Sequence, residues 1–522
     1  MAPRHVQKCN CNNLSDSFLG VGGHVESGFP GVLISMARGN LQVEHLLRRA
    51  AFGPNSQDLL RFGDASTSIV SSYLLDYDRV ADDVDSKVGQ PGYVGTTSPG
   101  RAFSPYTNIE DARQRWLFRM VHSQRPLQEK MALFWHNHFA TTYSKIAGVF
   151  GGVQATKMLA LKSGELPGPQ GQIELFRQYA LGNFRNLLIE VAKDPAMVVF
   201  LDGRTNTRAR PQENFGREIM ELFTFGVGNY TEQDVYAAAR VFTGWNLRTV
   251  ATPGGANDPN TYYEFAYNAN QHDTAAKVFT FGIYGNDKTI PARAAADGMQ
   301  DGIDFISALA RHPETARRLA RKLWNFFVSD FEAPDPSFVE TIAGEYLRND
   351  TEMKPVITAI LRSGWFLNTP SWNARYSWPV EFVVRAIREV GWEGFSVDTA
   401  RTPLTNMGQT LFEPPDVSGW ELGQGWFSTG AMLARMNFAS VLAANQKFNL
   451  ARAAAPYRSS PENVLDFFLD RLSPSPFEHV PYSELMGYLK SDGTWTGSDA
   501  QLNAKTAGLA KLIVGSSEYQ FV

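Results

Sequence analysis

The sequence predicts a mainly α-helical protein: a large multi-helix globular body with one small β-hairpin inserted near residues 261–282. Apolar residues recur every three or four positions over most of the chain, the spacing of helices that bury one face. At 522 residues, 43% of them hydrophobic and 20% charged, the chain can bury a large core. A two-residue alternation typical of strands occurs only between 251 and 285. No repeat of fixed period is visible, which argues against a solenoid.

Residues 1–40 are predicted to form a flexible N-terminal tail, and an N-terminal helical region is expected over 41–250. Its first helix begins at Leu41 and is expected to end at Gly53, because Pro54 prevents continuation. Further helices are expected at 110–120, 126–139, 173–200 and 211–225. Another follows Thr231, which with Asp234 has the spacing of a capping box.

Residues 251–300 are predicted to form a β-hairpin and loop insertion. Tyr263, Phe265 and Tyr267 alternate with other residues, and a second apolar stretch, 278–281, follows a polar turn. A second helical region with a Pro- and Trp-rich loop is expected over 301–450, and C-terminal helices over 451–522.

Composition excludes several classes of protein. Lys and Arg number 49 against 53 Asp and Glu, a net charge of -4, so nucleic acid is not an expected partner. No apolar run reaches the ~18 residues of a membrane span, and no secretory signal is visible. We therefore expect a cytoplasmic protein, unless it is exported from a longer precursor. Cys9 and Cys11 cannot build a disulfide framework or a four-thiolate zinc site, and we assign them no role.

The most informative segment for function is the predicted helix at 211–225. Asn214, Glu218 and Glu221 lie along one stripe that borders its apolar face. Two neighbouring carboxylates can place an acid beside a base or bind a metal ion. The alternative is structural, because Glu213 and Glu221 each stand four residues from Arg217 and can form ion pairs with it.

Three histidines are further candidates. His136 and His138 point in different directions from an intact helix, so they cannot share one metal ion. His138 lies on the apolar face and is expected to be a core residue, whereas His136 is the better candidate for a polar cavity. His272 and Asp273 follow each other at the predicted turn, where an imidazole beside a carboxylate can serve as a base or metal ligand.

Two other features have structural explanations as well as functional ones. Rings in the loop 412–427 can stack on sugars, or Trp420 and Trp426 can pin the loop to the core. A cationic helix face is expected to be exposed to solvent; its members are Arg317, Arg318, Arg321 and Lys322. Motifs typical of P-loop, zincin, serine-hydrolase and calcium-binding proteins are absent from the sequence.

The order of these segments resembles the uncharacterised, mainly bacterial family called domain of unknown function 1800. The matching text includes HLLRRAAFGP, EKMALFWHNHFATT, ENFGREIMELFTFGVGNYTEQDVYAAARVFTGW, HDTAAKVF, ARKLWNFFV, PVEFVVRAIREVGW and MGQTLFEPPDVSGW. The resemblance implies a mainly helical protein, often exported in bacteria, and it supplies no established reaction. The chain differs from the usual family pattern at Gln212, Gly216 and Tyr179.

Two functional hypotheses follow. The first is an enzyme, a hydrolase or lyase, that acts on a hydroxylated small molecule or glycan. Glu218 and Glu221 would be its acid, base or metal-binding groups, Asn214 and Arg217 would position the substrate, and His136 or the His272–Asp273 pair would complete the site. A divalent metal, if bound by Glu218, Glu221 and His136, would be zinc, manganese or iron. The second hypothesis is a non-catalytic binding or assembly protein with a protein partner.

Overall fold

The computed structural model describes residues 40–88, 90, 100–391, 398–444, 449–472 and 482–522. The predicted tail, with Cys9 and Cys11, lies outside the described residues except for residue 40. Buried apolar side chains from helices along the whole described chain form one continuous core cluster. The predicted class, mainly α-helical with a small β insertion, is confirmed. The domain boundaries expected from the sequence stay a prediction.

The described residues of the first half form twelve α-helices and one π-helical turn. The α-helices are α1 (Leu41–Ala51), α2 (Ser56–Phe62), α3 (Thr67–Leu75), α4 (Val84–Lys87), α5 (Ile109–His122), α6 (Pro126–His138), α7 (Tyr143–Ala160), α8 (Gln172–Gln178), α9 (Phe184–Lys193), α10 (Pro195–Phe200), α11 (Asn214–Glu218) and α12 (Glu232–Val241). The π-helical turn, Ile219–Phe223, directly continues α11.

Twelve more α-helices follow in the second half of the described chain. They are α13 (Met299–Ala310), α14 (Pro313–Phe327), α15 (Pro336–Arg348), α16 (Met353–Leu361), α17 (Gly364–Leu367), α18 (Pro379–Val390), α19 (Asp398–Asn406), α20 (Thr429–Ala444), α21 (Leu450–Ala454), α22 (Pro461–Leu472), α23 (Tyr482–Lys490) and α24 (Asp499–Val514). Among the described helices, none combines the length and the apolar character needed to cross a membrane.

Helix boundaries follow local capping chemistry. The capping box predicted after Thr231 is confirmed, since the Thr231 and Asp234 side chains each bond the other residue's backbone N–H. The stretch 173–200, expected to be helical throughout, is divided into α8, α9 and α10. Asn183 caps α9, and Asp194, followed by Pro195, caps α10; these side chains accept backbone N–H groups that a continuous helix would have used itself.

The strands pair differently from the predicted hairpin. β1 (Trp245–Val250) and β2 (Tyr262–Tyr267) form an antiparallel pair with Trp245 opposite Tyr267 and Val250 opposite Tyr262. The shorter β3 (Lys277–Val278) pairs with β4 (Thr289–Ile290). The alternation of Tyr263, Phe265 and Tyr267 therefore marked a true strand, but alternation does not identify the partner strand.

Candidate functional site

The segment with the predicted carboxylate stripe changes helix type in its middle. α11 ends at Glu218, and the next turn, Ile219–Phe223, is π-helical. The Thr224 hydroxyl supports this turn by donating to the Ile219 carbonyl at 2.6 Å. Ile219, Met220 and Phe223 are buried, whereas Glu218 and Glu221 are only partly buried. Single π-turns are rare and frequently occur at functional sites, so this turn marks the candidate site.

Glu218, the last residue of α11, has a partly buried carboxylate. It forms no hydrogen bond or ion pair with another residue that the structure describes. Burial raises its pKa, the neighbouring Glu221 raises it further, and Arg217 opposes both effects. Glu221 accepts a hydrogen bond from the Tyr230 hydroxyl, which fixes its position. The two carboxylates therefore interact with each other as the stripe predicts.

Arg217 is engaged elsewhere. Its guanidinium contacts both carboxylate oxygens of Glu232 at 2.8 Å and Glu213 at 3.3 Å. The expected ion pair with Glu213 is therefore present, and the one with Glu221 is not. Asn214 is exposed and donates to Asp202 Oδ2 at 3.0 Å. Neither side chain has Glu218 or Glu221 as a hydrogen-bond partner in the described part of the chain.

A buried histidine from another helix contacts the same π-turn, and a lysine from a third helix contacts that histidine. His138, at the end of α6, lies with Nε2 3.1 Å from the Phe223 carbonyl oxygen. Its Nδ1 lies 3.0 Å from Nζ of Lys322, on α14. Burial, with a smaller contribution from Arg318, lowers the pKa of Lys322 to about 7. Burial and these two cations hold the pKa of His138 well below its usual range, so its imidazole is neutral.

Arg318 stands one helical turn before Lys322 and contacts the same segment. Its Nη2 lies 3.5 Å from the Leu222 carbonyl oxygen, and its buried Nε has no hydrogen-bond partner among the described residues. Burial lowers the pKa of Arg318, and Glu221 partly offsets this. One group thus contains two carboxylates, two cations and an imidazole; below, "the π-turn group" means Glu218, Glu221, Arg318, Lys322 and His138.

His136 lies in an aromatic environment instead of a polar cavity. Its side chain is fully buried, and its Nε2 accepts the Phe412 N–H at 3.2 Å. Its ring centroid lies 5.1 Å from that of Trp116 and 5.4 Å from that of Trp420. Burial lowers the pKa of His136 to about 3, so it stays neutral. An imidazole held in this way orders the loop after α19 and does not reach the π-turn group.

His272 is fully buried and Asp273 partly buried, and their side chains have separate partners. His272 Nε2 lies 3.2 Å from Asp301 Oδ2, which also accepts from Lys277 Nζ at 2.6 Å. Asp273 points to Arg240 and accepts two hydrogen bonds from it, at 2.7 and 3.1 Å. The two adjacent side chains therefore serve different partners, and no contact joins either of them to Glu218, Glu221 or His136 within the described chain.

The residues present do not assemble the predicted metal centre. Within the ranges that the structure describes, no group of three or more His, Cys, Asp or Glu side chains is arranged to hold a metal ion. Glu218 and Glu221 supply two carboxylates, but His136 is bound to the Phe412 backbone. The positive charge of Arg318 near Glu221 also opposes a second cation.

Nearly the whole chain matches one protein family. A family model described as "Protein of unknown function (DUF1800)" matches residues 45–521. The chain belongs to the DUF1800 family. No curated protein and no solved structure matches it. Three of the family-like segments, EKMALFWHNHFATT, ENFGREIMELF and ARKLWNFFV, contribute His138, the two glutamates and Lys322, so they meet at the π-turn of this DUF1800 protein.

The Pro- and Trp-rich loop of this DUF1800 chain is anchored to the core. Trp420 and Trp426 are each only 5% exposed. The backbone N–H of Trp420 donates to Asn137 Oδ1 at 2.7 Å. Gly419 has a positive φ of 90°, and a Cβ there would lie 2.4 Å from Asn137 Oδ1, so only glycine fits. These tryptophans therefore support the loop and present little surface to a ligand.

Sequence reasoning missed Lys322, Arg318 and Tyr230 as members or supports of the site. The prediction of a solvent-exposed cationic face is wrong for Arg318 and Lys322, which are partly buried, while Arg321 is exposed. The sequence did contain an indication that Lys322 is partly buried. It directly precedes Leu323 and follows Leu319 by three residues, so it borders the apolar stripe of α14.

Proposed function

We propose that this chain is an enzyme that transfers a proton to or from a hydroxylated, glycan-like substrate at Glu218 and Glu221, in a hydrolytic or lyase reaction. The observation that carries the proposal is the partly buried carboxylate of Glu218, which lies beside Glu221 and has no hydrogen-bond or ion-pair partner among the described residues. A carboxylate used only for stability would be expected to have an ion-pair or hydrogen-bond partner, as Glu213 does with Arg217.

The roles follow from the environments of the two carboxyls. Glu218 keeps its proton to a higher pH than an ordinary glutamate because its pKa is raised, which suits a general acid. Glu221 is oriented by the Tyr230 hydroxyl and is the second carboxylate of the pair. Arg318 interacts electrostatically with Glu221 and places a positive charge beside the carboxylate pair.

The test is an activity screen with matched glutamine variants. Soluble oligosaccharides and aryl glycosides are incubated with the wild type, and released reducing ends or phenol are measured. We expect Glu218→Gln to lose about 100-fold or more of the activity, because it cannot exchange a proton. The control is Glu213→Gln, on the adjoining turn and paired with Arg217, which should retain it. Equal activity in both variants, or no turnover by the wild type, would contradict the proposal.

A second candidate function is partner binding without catalysis. The observation that favours it is an exposed apolar side of α20, where Leu433 is 59%, Met436 53% and Val441 49% exposed. Exposed apolar groups of this size often mark protein contacts. Light scattering of the wild type and of Leu433→Glu tests it: a dimer that becomes a monomer in the variant favours assembly, and a monomer in both cases disfavours self-assembly.

A further inference from the structure

We propose that Lys322 is a nucleophilic amine that forms an imine with a small hydroxylated carbonyl compound, such as the open-chain form of a sugar. The inference rests on the proposed function only for the hydroxyl groups of the ligand. It adds a covalent step and a carbonyl to that function, and it can be tested without turnover of any glycan.

The first support is the contact made by the Lys322 amine. Other lysines with little exposed surface have oxygen acceptors: Lys130 contacts Glu381, Lys157 the carbonyls of Pro259 and Thr261, Lys277 Asp301, and Lys505 the Tyr488 carbonyl. Among the described residues, the one hydrogen-bond partner of Lys322 Nζ is His138 Nδ1, at 3.0 Å. No carboxylate lies within 4.0 Å of it in the described chain. Its amine is therefore positioned without being neutralised by an opposite charge.

The second support is the protonation state that His138 must have. The Phe223 carbonyl oxygen can only accept, so Nε2 of His138 carries the proton and donates to it. Nδ1 is then an acceptor, and Lys322 donates one N–H to it. This contact is satisfied by a neutral amine as well as by an ammonium, so loss of a proton leaves Lys322 in place with a free lone pair.

The third support is the charge around the amine. Arg318 lies one turn away on the same helix, His138 faces Lys322 from α6, and Glu221 on the π-turn interacts with Arg318. The group nearest the amine is therefore neutral, and the next is a cation. A lysine in a desolvated place beside another cation is the arrangement that favours the reactive free amine.

The reaction balances without a further reactant. The neutral Nζ attacks the carbonyl carbon, a C–N bond forms, and a proton passes from nitrogen to the former carbonyl oxygen. Loss of this oxygen as water leaves the C=N bond, so amine and carbonyl give imine and water. Solvent supplies the proton that makes the former carbonyl oxygen leave as water, and the nitrogen gives a proton back to solvent when the C=N bond forms.

The experiment traps the imine. The full-length protein is incubated at pH 8 with glycolaldehyde and sodium cyanoborohydride, and the modified lysines are located by peptide mass spectrometry. We expect Lys322 to be modified at least about tenfold faster than Lys87, whose side chain is 39% exposed, because far more of the Lys322 amine is uncharged at this pH. Between pH 8 and pH 6 its rate should fall about tenfold, as expected for an amine with its pKa near 7.

Two variants sharpen the result. Lys322→Arg should remove the fast modification and leave the slow surface background, whereas Lys87→Arg should leave the fast phase intact. Modification spread evenly over surface lysines, or a fast phase that survives in Lys322→Arg, overturns the inference. Fast trapping at Lys322 in a protein whose Glu218→Gln variant keeps its glycan activity would leave this inference standing while removing the proposed function.

Discussion

Two charged regions of this molecule differ in whether their charges are matched. Around Glu381, a fully buried carboxylate is contacted by Lys130 and by both terminal nitrogens of Arg375, and it also accepts the Trp378 N–H. In the π-turn group, Glu218 has no hydrogen-bond or ion-pair partner among the described residues, and none of their carboxylates lies within 4.0 Å of Lys322 Nζ. The first region uses its charges to hold helices together. In the second, Glu218 and Lys322 are not neutralised by such contacts within the described chain.

The pKa directions express the same contrast. Burial alone would raise the pKa of Glu381, but Arg375 and Lys130 outweigh it and lower the value to about 2. Burial also acts on Glu218, and there Glu221 adds to it, so the pKa rises. A carboxylate is therefore stabilised in the charged form in one region and destabilised in the other.

The largest expected effect is the loss of stability in Glu381→Gln. This change leaves Lys130 and Arg375 buried without a counter-charge, and we expect it to cost about 3–5 kcal/mol of unfolding free energy at pH 7. Urea unfolding followed by circular dichroism measures it. Because the folded pKa is depressed, the stabilisation is present above the unfolded pKa near 4.5 and is lost as pH falls toward 2.

Glu218→Gln is the matched control in the other region. Because the folded pKa of Glu218 is raised, ionisation of its carboxyl lowers the free energy of unfolding as pH rises through that pKa. Removal of the charge in the glutamine variant should therefore leave the melting temperature at pH 7 unchanged or higher. A loss in Glu218→Gln as large as that in Glu381→Gln would abolish the distinction between the two regions.

How much of this could be read from the sequence depends on the range of the interactions. The helical class and the Glu218–Glu221 stripe depend on spacing within one segment, and spacing is visible in a sequence. The role of Lys322 depends on which residue of α6 faces it, 184 positions away. For the same reason, the sequence around His272 did not predict its contact with Asp301. Helix geometry predicted that His136 and His138 point in different directions, but it did not predict that the Phe412 backbone contacts His136.

The π-turn itself was also beyond sequence reasoning. The spacing of Phe215, Ile219, Leu222 and Phe223 fits an ordinary α-helix over 211–225. Whether one turn widens depends on tertiary contacts, here the Thr224 hydroxyl on Ile219 and the His138 ring on the Phe223 carbonyl. The prediction of a helix therefore located the right residues and missed the local distortion that distinguishes them.

An intermediate effect is expected from Lys322→Met, and it depends on pH. Below its folded pKa of about 7, Lys322 is charged in the folded protein, and burial of this charge lowers the free energy of unfolding. As pH rises from about 7 toward the ordinary lysine value of 10.5, the folded protein holds the neutral amine and the free energy of unfolding increases. The variant lacks this buried charge. Its melting temperature relative to wild type should therefore be higher at pH 6 than at pH 9, by roughly 2 °C or more.

Lys87→Met provides the control, since Lys87 is an exposed lysine paired with Asp83. Its melting temperature relative to wild type should change little between the two pH values. Scanning calorimetry at both pH values measures each difference directly, and any constant loss from the missing contact with His138 cancels in the comparison. A difference for Lys322→Met that is the same at pH 6 and pH 9 would show that Lys322 titrates as an ordinary lysine.

The smallest expected effect is that of transition metals on the π-turn group. In the described part of the chain, no three His, Cys, Asp or Glu side chains are arranged to hold a metal ion, and Arg318 repels a cation near Glu221. Purified protein should contain less than roughly a tenth of an equivalent of zinc, manganese or iron by elemental analysis, and added metal should shift the melting temperature by less than about 1 °C. One tightly held equivalent that is absent from Glu218→Gln and retained in Glu213→Gln would reverse this conclusion. It would mean that a metal ion neutralises the carboxylates of this region. The two regions would then differ in the kind of counter-charge, a metal ion in one and the Lys130 and Arg375 side chains in the other.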